Sequence, residues 1–233
     1  MTFGPVLAFD TSAAHCAAAL LRPDGTVTDR VEPMDRGQAE RLFPLLEQIL
    51  AEAGIGWGNL AALGVCTGPG NFTGVRIAVS AARGLALSLG VPAVGVTLFE
   101  AVEAGGEAPA ALISLSAPRG LAYVQHFHDR RPDAPPRLID PASPPDGLGL
   151  APGALVRGHR ATEIARHFGT PHFNIRAEET EPAGIAPRIA RITRDRLLAG
   201  ETPPRPAPLY VRPADAAPPS EAPPVILPAI LPG

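Results

Sequence analysis

The feature that most constrains this chain is a glycine-rich turn at residues 68–76, with the sequence GPGNFTGVR. An apolar run at 63–66 precedes it, and a helical pattern follows it as far as Leu89. A strand, a glycine turn and a helix in this order aim consecutive backbone N–H groups and a helix N-terminus at one small region. Such a junction receives an anion or another polypeptide, or it is only a tight turn of the kind that most α/β proteins need.

A second polar feature, Asp10-Thr11-Ser12, ends the first apolar run of the chain. The strand end resembles that of actin-like ATPases, in which the carboxylate holds a metal ion and faces the nucleotide phosphates; the alternative is that Asp10 and Ser12 only bond the backbone of the turn. In the glycine turn, the glycines allow positive φ angles or close approach, and Thr73 is a good helix cap. The sequence therefore predicts a candidate nucleotide or phosphate site at Asp10, Ser12, Gly68, Gly70, Thr73 and Gly74.

The composition excludes several kinds of catalytic site. All 20 basic residues of the 233 are arginine. The absence of lysine excludes a P-loop lysine, a Schiff-base lysine and a Ser-Lys dyad. A formal net charge of −3 gives no support for strong autonomous nucleic-acid binding.

Several features favour a soluble, cytoplasmic protein. Cys16 and Cys66 lie in apolar runs and are expected to be small buried hydrophobes. The N-terminus enters an apolar run without a basic segment or cleavage signal. No apolar run approaches the roughly 20 residues that span a bilayer, so no membrane contact is expected.

The order of elements in the first hundred residues is typical of a ribonuclease-H-like lobe. Three short apolar runs with tight connections predict an antiparallel meander, and apolar residues at helical spacing follow it. The predicted elements are strands at 5–9, 16–21 and 26–31, a helix at 38–53, a strand at 60–66, a helix at 75–89 and a strand at 91–96. We assign residues 1–105 to this lobe.

The second half begins in the same way and is less regular afterwards. A hairpin-like pair at 110–115 and 121–127 is followed by seven prolines between 132 and 152. Helical patterns return at 161–168 and 184–198. The predicted fold is α/β, with two ribonuclease-H-like lobes of the actin/Hsp70/sugar-kinase (ASKHA) superfamily and a reduced second lobe at 106–202. Residues 203–233 form a proline-rich tail, expected to be extended, with an apolar tip at 225–231.

A catalytic set is not evident. The six histidines form neither H-x-x-x-H nor H-E-x-x-H, the spacings that place two imidazoles on one helix face for a metal. His126 and His128 would share one face of a strand, but no third ligand follows closely. The chain also lacks a G-x-S-x-G nucleophile elbow.

Taken together, these blocks resemble the TsaB (YeaZ) family. The resemblance rests on Asp10-Thr11-Ser12, on ERLFPLL at 40–46, on the glycine turn with the helix up to 90, and on PLYVR at 208–212. It runs in consistent order from the first strand to Arg212, and it is dense over the first hundred residues and thin from about 132 to 203.

The resemblance implies a non-catalytic subunit of the tRNA threonylcarbamoyladenosine synthesis complex. Such a subunit heterodimerises with and activates TsaD, which transfers the threonylcarbamoyl group to an adenosine beside the anticodon. The ATPase TsaE docks on that heterodimer, and the subunit meets tRNA only indirectly. No cofactor is required, weak ATP or ADP binding stays open, and the chain alone is expected to form a homodimer.

The resemblance also accounts for the missing catalytic set. In the TsaD relatives, a metal-binding H-x-x-x-H follows the strand after the glycine-turn helix. Aligned on Gly95, Val96 and Glu100, those positions here hold Leu98 and Val102, which cannot ligate iron or zinc. The alternative function is a metal-dependent glycoprotease-like (peptidase M22-like) hydrolase or a stand-alone actin-fold ATPase.

By the same resemblance, the two helices of the first lobe form the surface that binds TsaD. The first is expected to expose Phe43, Leu46 and Leu50, and small residues of the second would let a partner helix approach. Gly74, where the turn becomes the helix, is expected to face the partner. The alternative is that these apolar positions face only their own sheet. The expected partner-binding residues are Glu40, Phe43, Leu46, Leu50, Arg76, Ala78 and Ala82.

Overall fold

The computed structural model describes residues 3–106, 108–169 and 174–211 and contains two sheets. The first sheet and its helices come from the first half of the chain. In chain order they are β1 (Val6–Asp10), β2 (His15–Leu21), β3 (Val27–Pro33), α1 (Gln38–Glu52), β4 (Ala62–Cys66), α2 (Phe72–Leu89), β5 (Ala93–Val96) and α3 (Leu98–Glu103).

The first sheet has the strand order β3-β2-β1-β4-β5. β1 pairs antiparallel with β2 and parallel with β4, so its carboxyl end, Asp10, lies beside the end of β4. All residues of β1 and β4 are buried, as expected for central strands covered on both faces. The apolar sides of α1 and α2 cover one face.

The second sheet has the order β11-β10-β6-β7-β8, with β9 also paired to β7. Its elements are β6 (Ala110–Ser116), β7 (Ala122–His128), β8 (Arg131–Pro132), β9 (Arg137–Ile139), β10 (Leu155–Gly158), α4 (Ala161–Phe168), β11 (Arg176–Glu179) and α5 (Ile185–Leu198). The order repeats that of the first sheet, but a single 3-10 turn at Asp146–Leu148 stands where the first half has α1. The predicted α/β fold of two lobes, with the second reduced, is confirmed.

Two helices cross between the lobes. α3 follows the first sheet but contacts β6 and α5, whereas α5 follows the second sheet and lies on β1, β2 and β4. Phe99, Ile185 and Ile189 are buried in the apolar core that they share. The two lobes therefore interlock through a common core.

Some element predictions need correction. α2 begins at Phe72, three residues before the predicted start at 75, because the Asn71 side chain caps it. α3, β10 and β11 were not predicted.

Of the predicted tail, residues 203–211 have no regular helix or strand. The backbone N–H of Leu209 donates to the carbonyl of Thr67 at 2.8 Å, which ties this segment to the first lobe. The tail beyond Val211, with its apolar tip, lies outside the described residues.

α2 is long and apolar enough to cross a bilayer, if only length and composition are considered. In the structure, one side of α2 packs on the first sheet through Val75, Ala78, Val79 and Ala82, as a core helix of a lobe does.

α5 approaches the first sheet closely at Gly64 in β4. A Cβ at Gly64 would lie 2.5 Å from Thr193 Oγ1 and 2.8 Å from Ile189 Cγ2. We expect Gly64→Ala to lower the free energy of unfolding by about 1–3 kcal/mol, because the added methyl forces α5 outward. Urea unfolding measures this change. Gly58→Ala is the control, since its Cβ would meet nothing within 4 Å; equal stability of the two variants would contradict the prediction.

Candidate functional site

The candidate site is a cleft of about 630 Å³ between the two lobes. The first lobe contributes the end of β1, the start of β2 and the glycine turn. The second lobe contributes the end of β6 and the loop after β10. The polar residues at the cleft include Asp10, Ser12, His15, Asn71, Ser114, Tyr123, His159 and Glu181.

The glycine turn is pressed against the hairpin that follows β1. A Cβ at Gly74 would lie 1.9 Å from the carbonyl oxygen of Thr11, and one at Gly70 would lie 2.2 Å from that of Ser12. The Thr11 hydroxyl donates to the Gly74 carbonyl at 2.7 Å. The Asn71 N–H donates to the Ser12 carbonyl at 2.6 Å. Glycine is required at 70 and 74 by this close backbone approach.

Three of the N–H groups that open α2, those of Thr73, Gly74 and Val75, are satisfied within the chain. Asn71 Oδ1 accepts from the N–H groups of Thr73 and Gly74, each at 3.0 Å. The Val75 N–H donates to the Asn71 carbonyl at 2.9 Å. Because these donors are the ones that an anion at a helix N-terminus would use, the cap occupies the predicted phosphate position.

Asp10 is also engaged within its own hairpin. Its side chain is only 1 % exposed. Oδ1 accepts the Ser12 N–H at 2.7 Å, and Oδ2 lies 3.0 Å from His15 Nε2. A metal ion at this carboxylate would therefore compete with His15 for Oδ2.

The two groups of this pair shift each other's pKa. Burial alone would raise the pKa of Asp10, but the hydrogen bond and charge of His15 and the hydrogen bonds of Ser12 lower it below its ordinary value. The hydrogen bond to Asp10 raises the pKa of His15, against the opposing effect of its partial burial. The site therefore favours an ionised Asp10 beside a protonated His15.

The two cysteines are buried, as the sequence predicts. Burial raises the pKa of Cys16 to about 11 and that of Cys66 well above its ordinary value. The Cys66 thiol lies 3.6 Å from Ser12 Oγ, and Ser12 lines the cleft. Both shifts favour the protonated thiol, which is not the nucleophilic form of cysteine.

The structure brings only some of the predicted nucleotide residues to the cleft. Asp10, Ser12 and Gly70 line it. Gly68 has a positive φ of 90° and is buried behind them, and Thr73 and Gly74 border a separate groove beside the start of α1. A nucleotide role for these residues stays a prediction.

His15 was not singled out from the sequence, although its position five residues after Asp10, across a hairpin, was a usable signal.

The expected partner-binding residues divide into exposed and buried sets. Glu40, Phe43 and Arg76 are exposed. The expectation that Leu46 and Leu50 are exposed is wrong: they are 0 % and 3 % exposed, because the apolar side of α1 faces the sheet. Ala78 and Ala82 are both 0 % exposed, so they let α2 approach its own lobe and not a partner. Gly74 likewise faces Thr11.

The outward side of α2 carries residues that the sequence reasoning missed. Leu87 is 80 % exposed. Gly84 is exposed in the middle of the helix, and its Cβ would meet nothing within 4 Å. We group Phe43, which is exposed on α1, with the outward residues Thr73, Ser80, Gly84 and Leu87 of α2 and call them the pairing face.

α3 holds the two positions that, by the resemblance, are expected to align with metal ligands of the TsaD relatives. Leu98 is 9 % exposed and Val102 is 3 % exposed, both within the core between the lobes. Across the described ranges, no group of three His, Cys, Asp or Glu side chains could hold a metal ion.

The Asp10–His15 pair predicts a pH dependence of stability. Because Asp10 has a lowered pKa, its contribution is present above its ordinary value of 3.8 and is lost as pH falls through the lowered pKa. Because His15 has a raised pKa, its contribution is present below 6.5 and is lost as pH rises through the raised pKa. We expect the pair to stabilise the fold most between about pH 4 and 6.5.

Urea unfolding from pH 5 to 9 tests this dependence. His15→Gln should remove the part of the decline in stability above pH 6.5 that His15 causes, whereas His167→Gln, at an exposed site on α4, should leave the profile unchanged. A profile that is identical in the wild type and in His15→Gln would contradict the assignment.

Two glycines of α2 give opposite predictions. Gly74→Ala should lower the free energy of unfolding by about 1–3 kcal/mol, because the methyl would overlap the Thr11 carbonyl. Gly84→Ala should raise it by about 0.5–1 kcal/mol, because alanine is the better helix former at an open position. Thermal melts of the two variants measure both effects, and a neutral Gly74→Ala would show that this contact does not fix the turn.

Comparison with known proteins gives a family model and several relatives. A family model described as "TsaD: tRNA N6-adenosine threonylcarbamoyltransferase" matches residues 32–135. The chain is 35% identical over 126 residues to "tRNA threonylcarbamoyladenosine biosynthesis protein TsaB" of Escherichia coli (strain K12). The aligned region covers 52% of this chain and 54% of that protein. The protein of the same name from Bacillus subtilis (strain 168) is 34% identical over 121 residues, 51% of this chain and 53% of that protein. The match thus spans about half the length of these curated relatives.

Other matches extend over almost the whole chain. An uncharacterized protein of Mycobacterium tuberculosis (strain ATCC 25618 / H37Rv) is 31% identical over 216 residues, 91% of this chain and 94% of that protein. Among solved structures, YeaZ from Pseudomonas aeruginosa aligns with a TM-score of 0.72 at 23% identity, over 89% of this chain and 99% of that chain. The structural match shows a shared fold.

Proposed function

Because the chain belongs to the TsaB (YeaZ) family, we propose that it acts in tRNA threonylcarbamoyladenosine biosynthesis as a non-catalytic subunit that heterodimerises with and activates a TsaD-type threonylcarbamoyltransferase. A TsaE-type ATPase docks on the pair, and tRNA is met only through the complex. The setting of this reaction is the cytoplasm.

The observation that carries the non-catalytic role is the burial of Leu98 and Val102. A metal site at these α3 positions would need ligating side chains in a polar environment, and both positions lie in apolar core. The same reasoning weighs against a metal-dependent hydrolase. At the cleft, the internal partners of Asp10 and the capped glycine turn weigh against an actin-fold ATPase.

The pairing face supplies the surface for a partner helix. A mid-helix glycine costs about 1 kcal/mol relative to alanine, and the lobe makes no use of the space beside Gly84. A glycine and Ser80 on an exposed helix face let a second helix approach closely. Leu87 and Phe43, which are 80 % and 43 % exposed, then lose contact with water.

No cofactor is required in this proposal. Weak binding of ATP or ADP in the cleft would have to compete with His15 for Asp10. Without its partner, the chain is proposed to associate with a second copy through the pairing face, which would otherwise leave apolar helix surface in water.

Light scattering of the chain mixed with the TsaD-type subunit of its own organism tests the proposal. The wild type should give the mass of a heterodimer. Leu87→Asp should weaken pairing at least tenfold, because it buries a carboxylate where an apolar group is expected. Leu198→Asp is the control, since Leu198 is 57 % exposed near the end of α5. A heterodimer that forms equally well with both variants would exclude this face, and a wild type that never pairs would overturn the function.

A further inference from the structure

One flank of α2 carries an arginine and aromatic cluster that the pairing face does not include. Phe72 and Tyr210 are 49 % and 48 % exposed, and their ring centroids lie 5.4 Å apart. The guanidinium carbon of Arg76 lies 3.6 Å from the Phe72 ring centroid. Arg76 Nε donates to the Tyr210 hydroxyl at 2.8 Å. We call Phe72, Arg76 and Tyr210 the flank cluster.

The flank cluster is assembled by two distant parts of the chain. Phe72 and Arg76 belong to the first turns of α2, whereas Tyr210 comes from the segment after α5. The neighbouring Leu209 is tied to the end of β4 through its hydrogen bond to Thr67. Tyr210 therefore holds the guanidinium of Arg76 in one orientation before any partner arrives, which lowers the entropy cost of binding.

The charge of this flank is not balanced by α2 itself. The helix contains Arg76 and Arg83, seven residues apart and hence on one side, and it contains no acidic residue. Within the part of the chain that the structure describes, neither arginine forms an ion pair with a carboxylate. The whole chain has a net charge of −3, so this positive flank runs against the average of the surface.

Arg76 still has its two terminal nitrogens available in the described structure. With Nε held by Tyr210 and one face on Phe72, these nitrogens form the fork that binds a carboxylate through two parallel hydrogen bonds. Arginine and tyrosine beside exposed aromatic surface are also the composition of binding hot spots.

We propose that the flank cluster binds an aspartate or glutamate side chain of the TsaD-type subunit, with Tyr210 as the positioning residue for Arg76 and Arg83 as a second contact for acidic groups. This inference rests on the proposed function, because it names the chemistry that the partner brings to the edge of the pairing face. The segment after α5 thereby becomes part of the interface.

The dissociation constant of the full chain for the TsaD-type subunit, measured at several salt concentrations, tests the inference. Arg76→Gln should weaken binding about tenfold, and it should reduce the salt dependence, because one charge pair is lost. Arg76→Lys should recover only part of the affinity, since it keeps the charge without the fork. Tyr210→Phe keeps the ring and loses only the hydroxyl, so a loss of about threefold is expected.

Arg191→Gln is the matched control. Arg191 is an exposed arginine on α5, which covers the opposite face of the first sheet. This variant should bind with unchanged affinity and unchanged salt dependence.

The outcomes separate the two proposals. A wild type that does not pair overturns the proposed function and this inference with it. A wild type that pairs while Arg76→Gln binds equally well overturns only the flank cluster. Tighter binding by Arg76→Gln, or weaker self-association of the chain with unchanged binding of the TsaD-type subunit, would show that the cluster has another occupant and would also overturn the inference.

Discussion

The close contact between the glycine turn and the hairpin after β1 positions the start of α2 in the first lobe. The Thr11 carbonyl lies where a side chain at Gly74 would begin, and Asn71 donates to Ser12 while capping α2. These bonds fix the start of α2 against the end of β1. Because the helix is rigid, they also fix the direction of its outward side, on which Gly84 and Leu87 lie.

The same contacts also engage the groups that the sequence predicts for a nucleotide site. An actin-like site needs a free carboxylate and free N–H groups at the cleft. In this chain His15 and Ser12 each bind one oxygen of Asp10, and the Asn71 side chain accepts from the N–H groups of Thr73 and Gly74. The glycine turn and the hairpin after β1 thereby hold this part of the lobe together and orient the outward side of α2.

Much of the fold could be predicted because the first lobe has strong apolar periodicity and clear turn signals. α3 was missed because it is only six residues long, although its capping box of Thr97 and Glu100 was a usable signal. β11 was missed because Arg176–Glu179 is exposed along its whole length and shows no apolar alternation. The crossing of α5 back to the first sheet depends on long-range packing at Gly64 and Ile189, which no local pattern records.

The site residues were harder to predict than the fold. The spacing placed Phe43 and Leu46 on α1 but could not show which of them faces the sheet. The structure shows that Leu46 is buried against the sheet and that Phe43 is exposed.

The most direct test of the central claim is threonylcarbamoylation of tRNA by the TsaD-type subunit, titrated with this chain in the presence of the TsaE-type ATPase. We expect no modification by the chain without the TsaD-type subunit, and stimulation that saturates at one chain per TsaD-type subunit. Modification without that subunit, or no stimulation at any ratio, would contradict the account.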